Sequence, residues 1–350
     1  MKHEVYMSRC LELAKKGELY VAPNPMVGAV LVSLDGQILA EGWHRQFGGP
    51  HAEVEAFRQY DDKKERGLLP AHSLSDCTLY VSLEPCSHYG KTPPCADMIC
   101  RRGVGRVVVG CLDCNPEVRG NGIRKLEQAG IEVIVGVMEK ECRWLNRRFF
   151  CLMEKHRPYV ILKWAQTADG FLAPLSDEER EGGVARSEQK RLVISTPETK
   201  QLVHRMRAEN MAIMVGTNTV IKDNPRLLTT HWSGRHPLRV TLDRHSRLSN
   251  EMNIFSSDAP TLVFTDDTTF RHVLQELAER HIHSLLVEGG GELLTHILRS
   301  GLWDEAHIEV GPQLIGNGIA APEIKMPAEP YMSIDGQKLY CIYHEDEDDK

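Results

Sequence analysis

Three residues of metal-ligating type stand with a carboxylate beside them: His51-Ala52-Glu53, then Pro85-Cys86, then Cys95. One imidazole and two thiolates fill three positions of a tetrahedral zinc site, and a fourth position left for water separates a catalytic zinc from a structural one. Zinc lowers the pKa of such a water from about 16 to about 7, which makes hydroxide available at neutral pH. Glu53 is close enough to His51 to carry protons without ligating. His-x-Glu followed by Pro-Cys is the signature of zinc-dependent base deaminases.

The cysteines are separated by Ser87-His88-Tyr89-Gly90-Lys91-Thr92-Pro93-Pro94, a longer spacer than the Cys-x-x-Cys of deaminases that edit nucleic-acid bases. Lysine, threonine and backbone N–H groups bind phosphate. The loop is therefore expected to bring Cys95 to the metal and to hold a phosphorylated sugar at its tip. A closed zinc clip with a fourth protein ligand, His44 or His88, is the structural alternative. It leaves Glu53 and Pro85 unexplained.

In the second half, Ser284-Leu285-Leu286-Val287-Glu288-Gly289-Gly290-Gly291-Glu292 reads as a strand, a glycine run and a helix. Such a turn lets backbone approach a pyrophosphate, and a helix N-terminus favours its charge. Alone this is a weak signal, and without G-x-G-x-x-G it does not support a Rossmann site.

Periodicity supplies the elements that position these groups. In the first half, helices are expected at 6–16, 52–59, 96–102 and 123–129. Strands are expected at 27–32, 38–42, 78–83, 106–110 and 132–135. The ligands then come from two helix N-termini, whose partial positive charge favours thiolate. Residues 143–150 read as an ordinary helix. The second half restarts with a strand at 159–165, and further strands are expected at 211–215, 238–242, 261–264, 285–287, 306–310 and 339–343. Helices are expected at 197–208, 270–280 and 292–300.

A chain of 350 residues exceeds what one core normally holds, so two domains are expected. We place them at 1–150 and 151–344, with 345–350 a solvated acidic tail. A net charge of −7 without a basic block argues against nucleic acid as partner and for a small molecule. No apolar run is long enough to span a bilayer, and residues 1–6 lack the apolar core of a signal peptide. A cytoplasmic protein without a membrane partner is expected, its ten cysteines mostly reduced. Cys111-x-x-Cys114 reads as idle thiols rather than a second metal or redox site.

Asn24-Pro25-x-Val27-Gly28, Gly49-Pro50-His51-Ala52-Glu53 and Glu84-Pro85-Cys86-Ser87-His88 resemble the bifunctional deaminase–reductases of riboflavin biosynthesis. In the second half, Arg157-Pro158-Tyr159-Val160-x-x-Lys163, Asp169-Gly170, 215–220, Asp223-Asn224-Pro225 and Val287-Glu288-Gly289-Gly290 resemble the reductase part of the same family. The resemblance implies an α/β protein: a cytidine-deaminase-like α/β/α domain followed by a dihydrofolate-reductase-like α/β domain. It implies Zn2+ on His51, Cys86 and Cys95, with Glu53 as proton carrier. Asn24, His88 and Lys91 would bind the substrate, a phosphorylated diaminopyrimidinone ribosylamine.

The second domain would then reduce the ribose to a ribityl chain with NADPH. The resemblance implies cofactor contacts at Gln166, Val193, Thr219, Asp223, Gly290, Gly291 and Glu292, and substrate contacts at Arg207, Leu227 and Glu288. Lys163 and Glu288 would be the titratable groups at the reacting carbon, and Arg207 would hold the phosphate. A homo-oligomer, dimer or tetramer, is also implied. The chain departs from the family pattern at Val193, where a tryptophan is usual, and at Thr230, where an arginine is usual; Arg226 or Arg235 could replace that cation. A charged stretch at 176–189 is longer than usual. Two alternatives follow: a deaminase with a non-catalytic second domain, and a nucleic-acid-editing deaminase.

Overall fold

The computed structural model describes residues 3–69, 73–87, 93–114, 119–175, 192–265 and 268–344. The chain divides into two units, Met1–His156 and Arg157–Lys350. The division falls beyond residue 150 because a helix, Arg147–Lys155, runs through that point.

In the first unit α1 (His3–Lys15) buries Met7, Cys10, Leu13 and Ala14, the three-and-four spacing of one helix face. Strands β1 (Gly28–Val32) and β2 (Ile38–Trp43) form an antiparallel hairpin. Helix α2 (Ala52–Glu65) follows, then β3 (Thr78–Leu83), α3 (Cys95–Arg102), β4 (Arg106–Cys111), α4 (Asn121–Gln128) and β5 (Glu132–Val135). The sheet has the order β2-β1-β3-β4-β5, with β3, β4 and β5 parallel. Alternate residues face opposite ways along each strand. Ala29, Leu31, Leu79, Val81, Val107 and Val109 pack with α2, α3 and α4. Val30, Val32, Tyr80 and Val108 pack with α1 and with Cys142 and Phe150. The result is an α/β/α sandwich.

Where one helix is expected at 143–150, two form: α5 (Glu139–Leu145) and α6 (Arg147–Lys155). Between them the buried Asn146 accepts from the Met26 N–H at 2.7 Å and donates to the Met26 carbonyl at 2.9 Å. That long-range tie breaks the helix and anchors the Asn24–Val27 loop.

The second unit begins with β6 (Tyr159–Gln166) and a short β7 (Phe171–Ala173). Then come α7 (Pro197–Glu209), β8 (Ala212–Val215), α8 (Thr217–Asp223), β9 (Leu238–Leu242), β10 (Thr261–Phe264), α9 (Phe270–Glu279), β11 (Ser284–Glu288) and α10 (Gly291–Ser300). The chain closes with β12 (Glu305–Val310), β13 (Ile319–Ala320), β14 (Met332–Ile334) and β15 (Gln337–Tyr343). The main sheet has the order β10-β9-β8-β11-β6-β12-β15-β14. It is parallel from β10 to β12 and antiparallel at β15 and β14.

The two faces of this sheet differ in chemistry. Val160, Leu162, Val287, Ala306 and Ile308 enter the apolar core beneath α9 and α10. The opposite face carries Lys163, Glu288, Glu305, His307 and Glu309, and α7 lies over part of it through Thr199 and Arg207. Period-two alternation on β6, β11 and β12 thus sorts an apolar layer from a polar one.

Candidate active sites

In the first unit the cluster forms where two helices begin. His51 caps the N-terminus of α2 in an extended conformation, and Cys95 is the first residue of α3. Gly42 on β2 seats α2: a Cβ there would fall 2.3 Å from the Ala52 carbonyl oxygen, so only glycine admits the helix at this distance. His51 Nδ1 lies 3.5 Å from Cys86 Sγ and 3.3 Å from Cys95 Sγ. A tetrahedral zinc with bonds of about 2.3 Å to sulfur and about 2.0 Å to nitrogen would space these atoms about 3.5 Å apart. The three donors therefore fit a zinc ion.

The three donors share protons among themselves, and a metal binding here would displace those protons. The Cys86 sulfur accepts the Cys95 backbone N–H at 3.3 Å. A hydrogen bond from Cys95, with one from His51, holds the Cys86 thiol low, while the same partnership pushes Cys95 up. His51 is raised to about 9, chiefly by its hydrogen bond with Cys86. Glu53, 3% exposed in the first turn of α2, has its carboxyl pushed up by burial.

His44 does not join the cluster. Its Nδ1–H donates to the Pro50 carbonyl at 2.9 Å and its Nε2 accepts from Asn24 Nδ2 at 3.1 Å. Both ring nitrogens are used, so His44 orients Asn24 rather than completing a closed zinc clip. Burial also lowers its pKa, which keeps it neutral. The buried Glu84 accepts three backbone N–H groups, from Asp113, Gly120 and Gly122, at 3.2, 3.0 and 3.0 Å, and so fixes the strand end before Pro85-Cys86. Sequence reasoning assigned no role to Glu84 or Asn146. His88 and Lys91 lie outside the described residues. All ten cysteines are free; Cys111 is buried at the end of β4, and its thiol donates to the Ser82 carbonyl at 3.5 Å.

In the second unit Arg207 donates from Nε and Nη2 to both oxygens of Glu288 and from Nη1 to the Leu228 carbonyl at 3.0 Å. All three nitrogens are engaged within the chain. Arg207 thus clamps Glu288, whose carboxyl is lowered despite its burial because Arg207 stands against it. Glu288 and Lys163 are register partners on neighbouring strands. Lys163 Nζ lies 3.6 Å from Glu309 Oε2. Glu309, 2% exposed, also accepts from Ser195 Oγ at 2.6 Å and Thr199 Oγ1 at 2.7 Å. Sequence reasoning missed Glu309. The signal was present in the polar-at-every-second-residue run Glu305, His307, Glu309.

A cleft beside this layer is lined by Thr219, Asn218, Arg244, Arg247, Gly290 and Glu292. Gly290 has φ +79, and a Cβ there would meet Thr219 Oγ1 at 3.1 Å. The positive φ and the close approach both call for glycine. A backbone cradle, the start of α10 and two arginines suit the phosphates of a dinucleotide. Gly291 lines an adjoining hollow with Glu292 and Ala320. Gln166 ends β6 and accepts from Trp164 Nε1 at 2.8 Å. Leu227 is buried with φ +55, whereas Val193 and Asp223 are exposed. Arg226 pairs with Asp258 at 2.8 Å, and the Thr230 N–H donates to His204 Nδ1 at 2.9 Å.

Residues 1–111 match the cytidine and deoxycytidylate deaminase zinc-binding region. Residues 158–328 match the RibD C-terminal domain. The riboflavin biosynthesis protein RibD of Aquifex aeolicus is 38% identical over 341 residues, covering 91% of this chain and 89% of that protein. The chain belongs to the RibD family. The Escherichia coli RibD is 33% identical over 352 residues, covering 91% of this chain and 89% of its own. The crystal structure of a diaminohydroxyphosphoribosylaminopyrimidine deaminase/5-amino-6-(5-phosphoribosylamino)uracil reductase from Thermotoga maritima superposes with a TM-score of 0.83 at 36% identity, covering 98% of this chain and 99% of that one. Acinetobacter baumannii RibD gives 0.85 at 32% identity, covering 99% of each.

As a member of that family, the protein is a bifunctional enzyme of riboflavin biosynthesis. Its zinc-dependent deaminase is a hydrolase, and its reductase half, of dihydrofolate-reductase-like fold, uses NADPH. The match to both halves gives no support to the reading of a non-catalytic second domain or of a nucleic-acid editor. Among the described residues no helix is long and apolar enough to cross a membrane.

Proposed function

We propose that the first unit deaminates 2,5-diamino-6-(5-phosphoribosylamino)pyrimidin-4-one and that the second reduces the ribosyl group of the product to a ribityl chain. The observation that carries the first step is the buried Glu53 carboxyl two residues from His51 and interacting with the His51, Cys86 and Cys95 cluster. These three residues would hold zinc, which when bound supplies a Lewis acid and activates water. Glu53 takes a proton from the attacking water and gives it to the ring nitrogen, then takes the hydroxyl proton of the tetrahedral adduct and delivers it to the departing ammonia. Asn24, oriented by His44, hydrogen-bonds the pyrimidine. His88 and Lys91 orient the ribose phosphate, an assignment that rests on the loop sequence alone.

In the second unit NADPH, when bound, would supply the hydride for C1′ of the ribose. Lys163, held by Glu309, gives the proton to the ring oxygen as the ring opens. Glu288, clamped by Arg207, fixes the local charge, and Leu227 forms an apolar wall of the substrate site. Thr219, Gly290 and Glu292 line the cleft assigned to the cofactor and Gly291 the hollow adjoining it; Gln166, Val193 and Asp223 are assigned to the cofactor on the family resemblance. We assign the protein to the cytoplasm, as a homo-oligomer, dimer or tetramer, on the family resemblance.

The test measures ammonia release and NADPH oxidation on the pyrimidine phosphate with purified full-length protein. Glu53→Gln is expected to lose ammonia release by about 100-fold or more while retaining zinc. Ammonia release at the wild-type rate in that variant would overturn the assignment.

A further inference from the structure

The polar face of the second sheet brings together another set of metal-ligating side chains. Glu305 and His307 lie two apart on β12, and His307 is directly opposite Cys341 on β15. His307 Nε2 is 2.5 Å from Glu305 Oε1 and 3.8 Å from Cys341 Sγ. The sulfur is 4.0 Å from that same carboxylate oxygen. All three ligand atoms lie within 4.8 Å of one another. None of the three residues takes part in either reaction as derived above.

Imidazole nitrogen, cysteine sulfur and carboxylate oxygen together select a zinc-class ion. Magnesium and calcium take oxygen donors and leave sulfur alone. A tetrahedral zinc sets its ligand atoms about 3.3–3.6 Å apart. To receive one, the His307–Glu305 contact must open by about 1 Å and the sulfur must close by a few tenths. Side-chain rotation supplies both, since the strands that carry them are fixed by the ladder. The other oxygen of Glu305 accepts from Tyr159 Oη at 3.1 Å, the kind of supporting bond that orients a metal-binding carboxylate.

Charge and access agree with this reading. A divalent ion with one thiolate, one carboxylate and a neutral imidazole sums to zero, which a nearly buried location demands. The Glu305 side chain is 5% exposed, but that of His307 is 23% exposed, so an ion can enter from its side. His307 also lines a small cavity beneath α7 with Lys163, Glu309 and Tyr331, where a water can take the fourth position.

We propose that Glu305, His307 and Cys341 form a second binding site for a zinc-class divalent ion, in the reductase unit. His307 is the register partner of Lys163 on the neighbouring strand. Occupancy therefore places a metal beside the Lys163–Glu309 pair and gives the ion a means of modulating reduction without touching the deaminase.

The test is metal stoichiometry of the full-length protein, stripped with chelator, reloaded with zinc and dialysed, and read by elemental analysis. Cys341→Ser and His307→Asn are each expected to lose one equivalent per chain relative to wild type, with unchanged far-UV circular dichroism. Cobalt loading of the same proteins should show the sulfur-to-metal absorption weakened in Cys341→Ser. Cys86→Ser removes a different equivalent, which separates this site from the deaminase zinc. Stoichiometry unchanged by both Cys341→Ser and His307→Asn overturns the proposal.

Discussion

Arg207 grips both carboxylate oxygens of Glu288, at 2.8 and 2.6 Å, and the two side chains are only 16% and 14% exposed. A fork-on-fork pair of this kind is stronger and more directional than a point-charge contact. Removing one partner leaves the other charge buried, which costs about 3–5 kcal/mol. Arg207→Met is therefore expected to lower the thermal midpoint of the reductase unit and abolish NADPH oxidation, with ammonia release retained. Arg207→Lys should recover only part, because an ammonium cannot reproduce the planar fork. Differential scanning calorimetry beside the two activity assays checks this.

Acid sensitivity should appear at His204. Burial, then the charge of Arg207, lowers its pKa from 6.5 to about 4. Its Nδ1 accepts the Thr230 N–H, so protonation also removes an acceptor. The unfolded chain takes this proton near 6.5 while the folded chain resists it. The contribution to stability is thus full above pH 6.5 and falls as pH drops toward 4. His204→Gln, which keeps an acceptor but gains no proton, should flatten that limb. Denaturant midpoints of wild type and variant between pH 7 and 4 give the comparison.

Gly122 tests how firmly Cys86 is held. A Cβ at Gly122 would fall 2.2 Å from the Pro85 carbonyl oxygen. Gly122→Ala must displace the backbone next to Cys86, and zinc affinity should weaken about 10-fold or more. Gly120→Ala is the contrast. Its Cβ would meet open space, and only its φ of +73 opposes the change, so a stability loss of about 1–2 kcal/mol with zinc affinity preserved is expected. Competition with a chromophoric chelator measures both.

Glu309 should matter to one activity only. It accepts from Ser195 and Thr199 and faces Lys163. Glu309→Gln keeps the shape but removes the charge and turns one acceptor into a donor. NADPH oxidation is expected to fall about 10- to 100-fold through misplacement of Lys163, with ammonia release unchanged. Steady-state kinetics of each half-reaction decides it.

What was legible in the sequence was what is local. The candidate zinc donors stand out by type and spacing, and the main strands and helices by periods of two and of three to four. What was not legible depends on partners far along the chain. The clamp of Arg207 on Glu288 joins residues 81 apart, and the Asn146–Met26 tie that splits α5 from α6 joins residues 120 apart. Thr217–Asp223 forms α8, a helix that periodicity does not lead one to expect. The short strands β7 and β13 are made by pairing with each other rather than by their own pattern. Glu309 was legible in principle, since Glu305, His307 and Glu309 alternate with Ala306 and Ile308.

The position of β6 bears on how the protein is made. Its Tyr159 pairs with Ser284 of β11 and its Ile161 with Glu305 of β12, while Arg157 just before it clamps Asp304 at 2.6 and 2.7 Å. On the ribosome, β6 emerges long before either neighbour exists. The deaminase unit, whose strands pair within residues 28–135, has its whole sheet available by then. The reductase unit must wait with Val160, Leu162 and Trp164 uncovered until synthesis has passed residue 310. Nascent chains stalled before that point should carry a finished first enzyme and an unfolded second one, the state in which chaperones have most to hold.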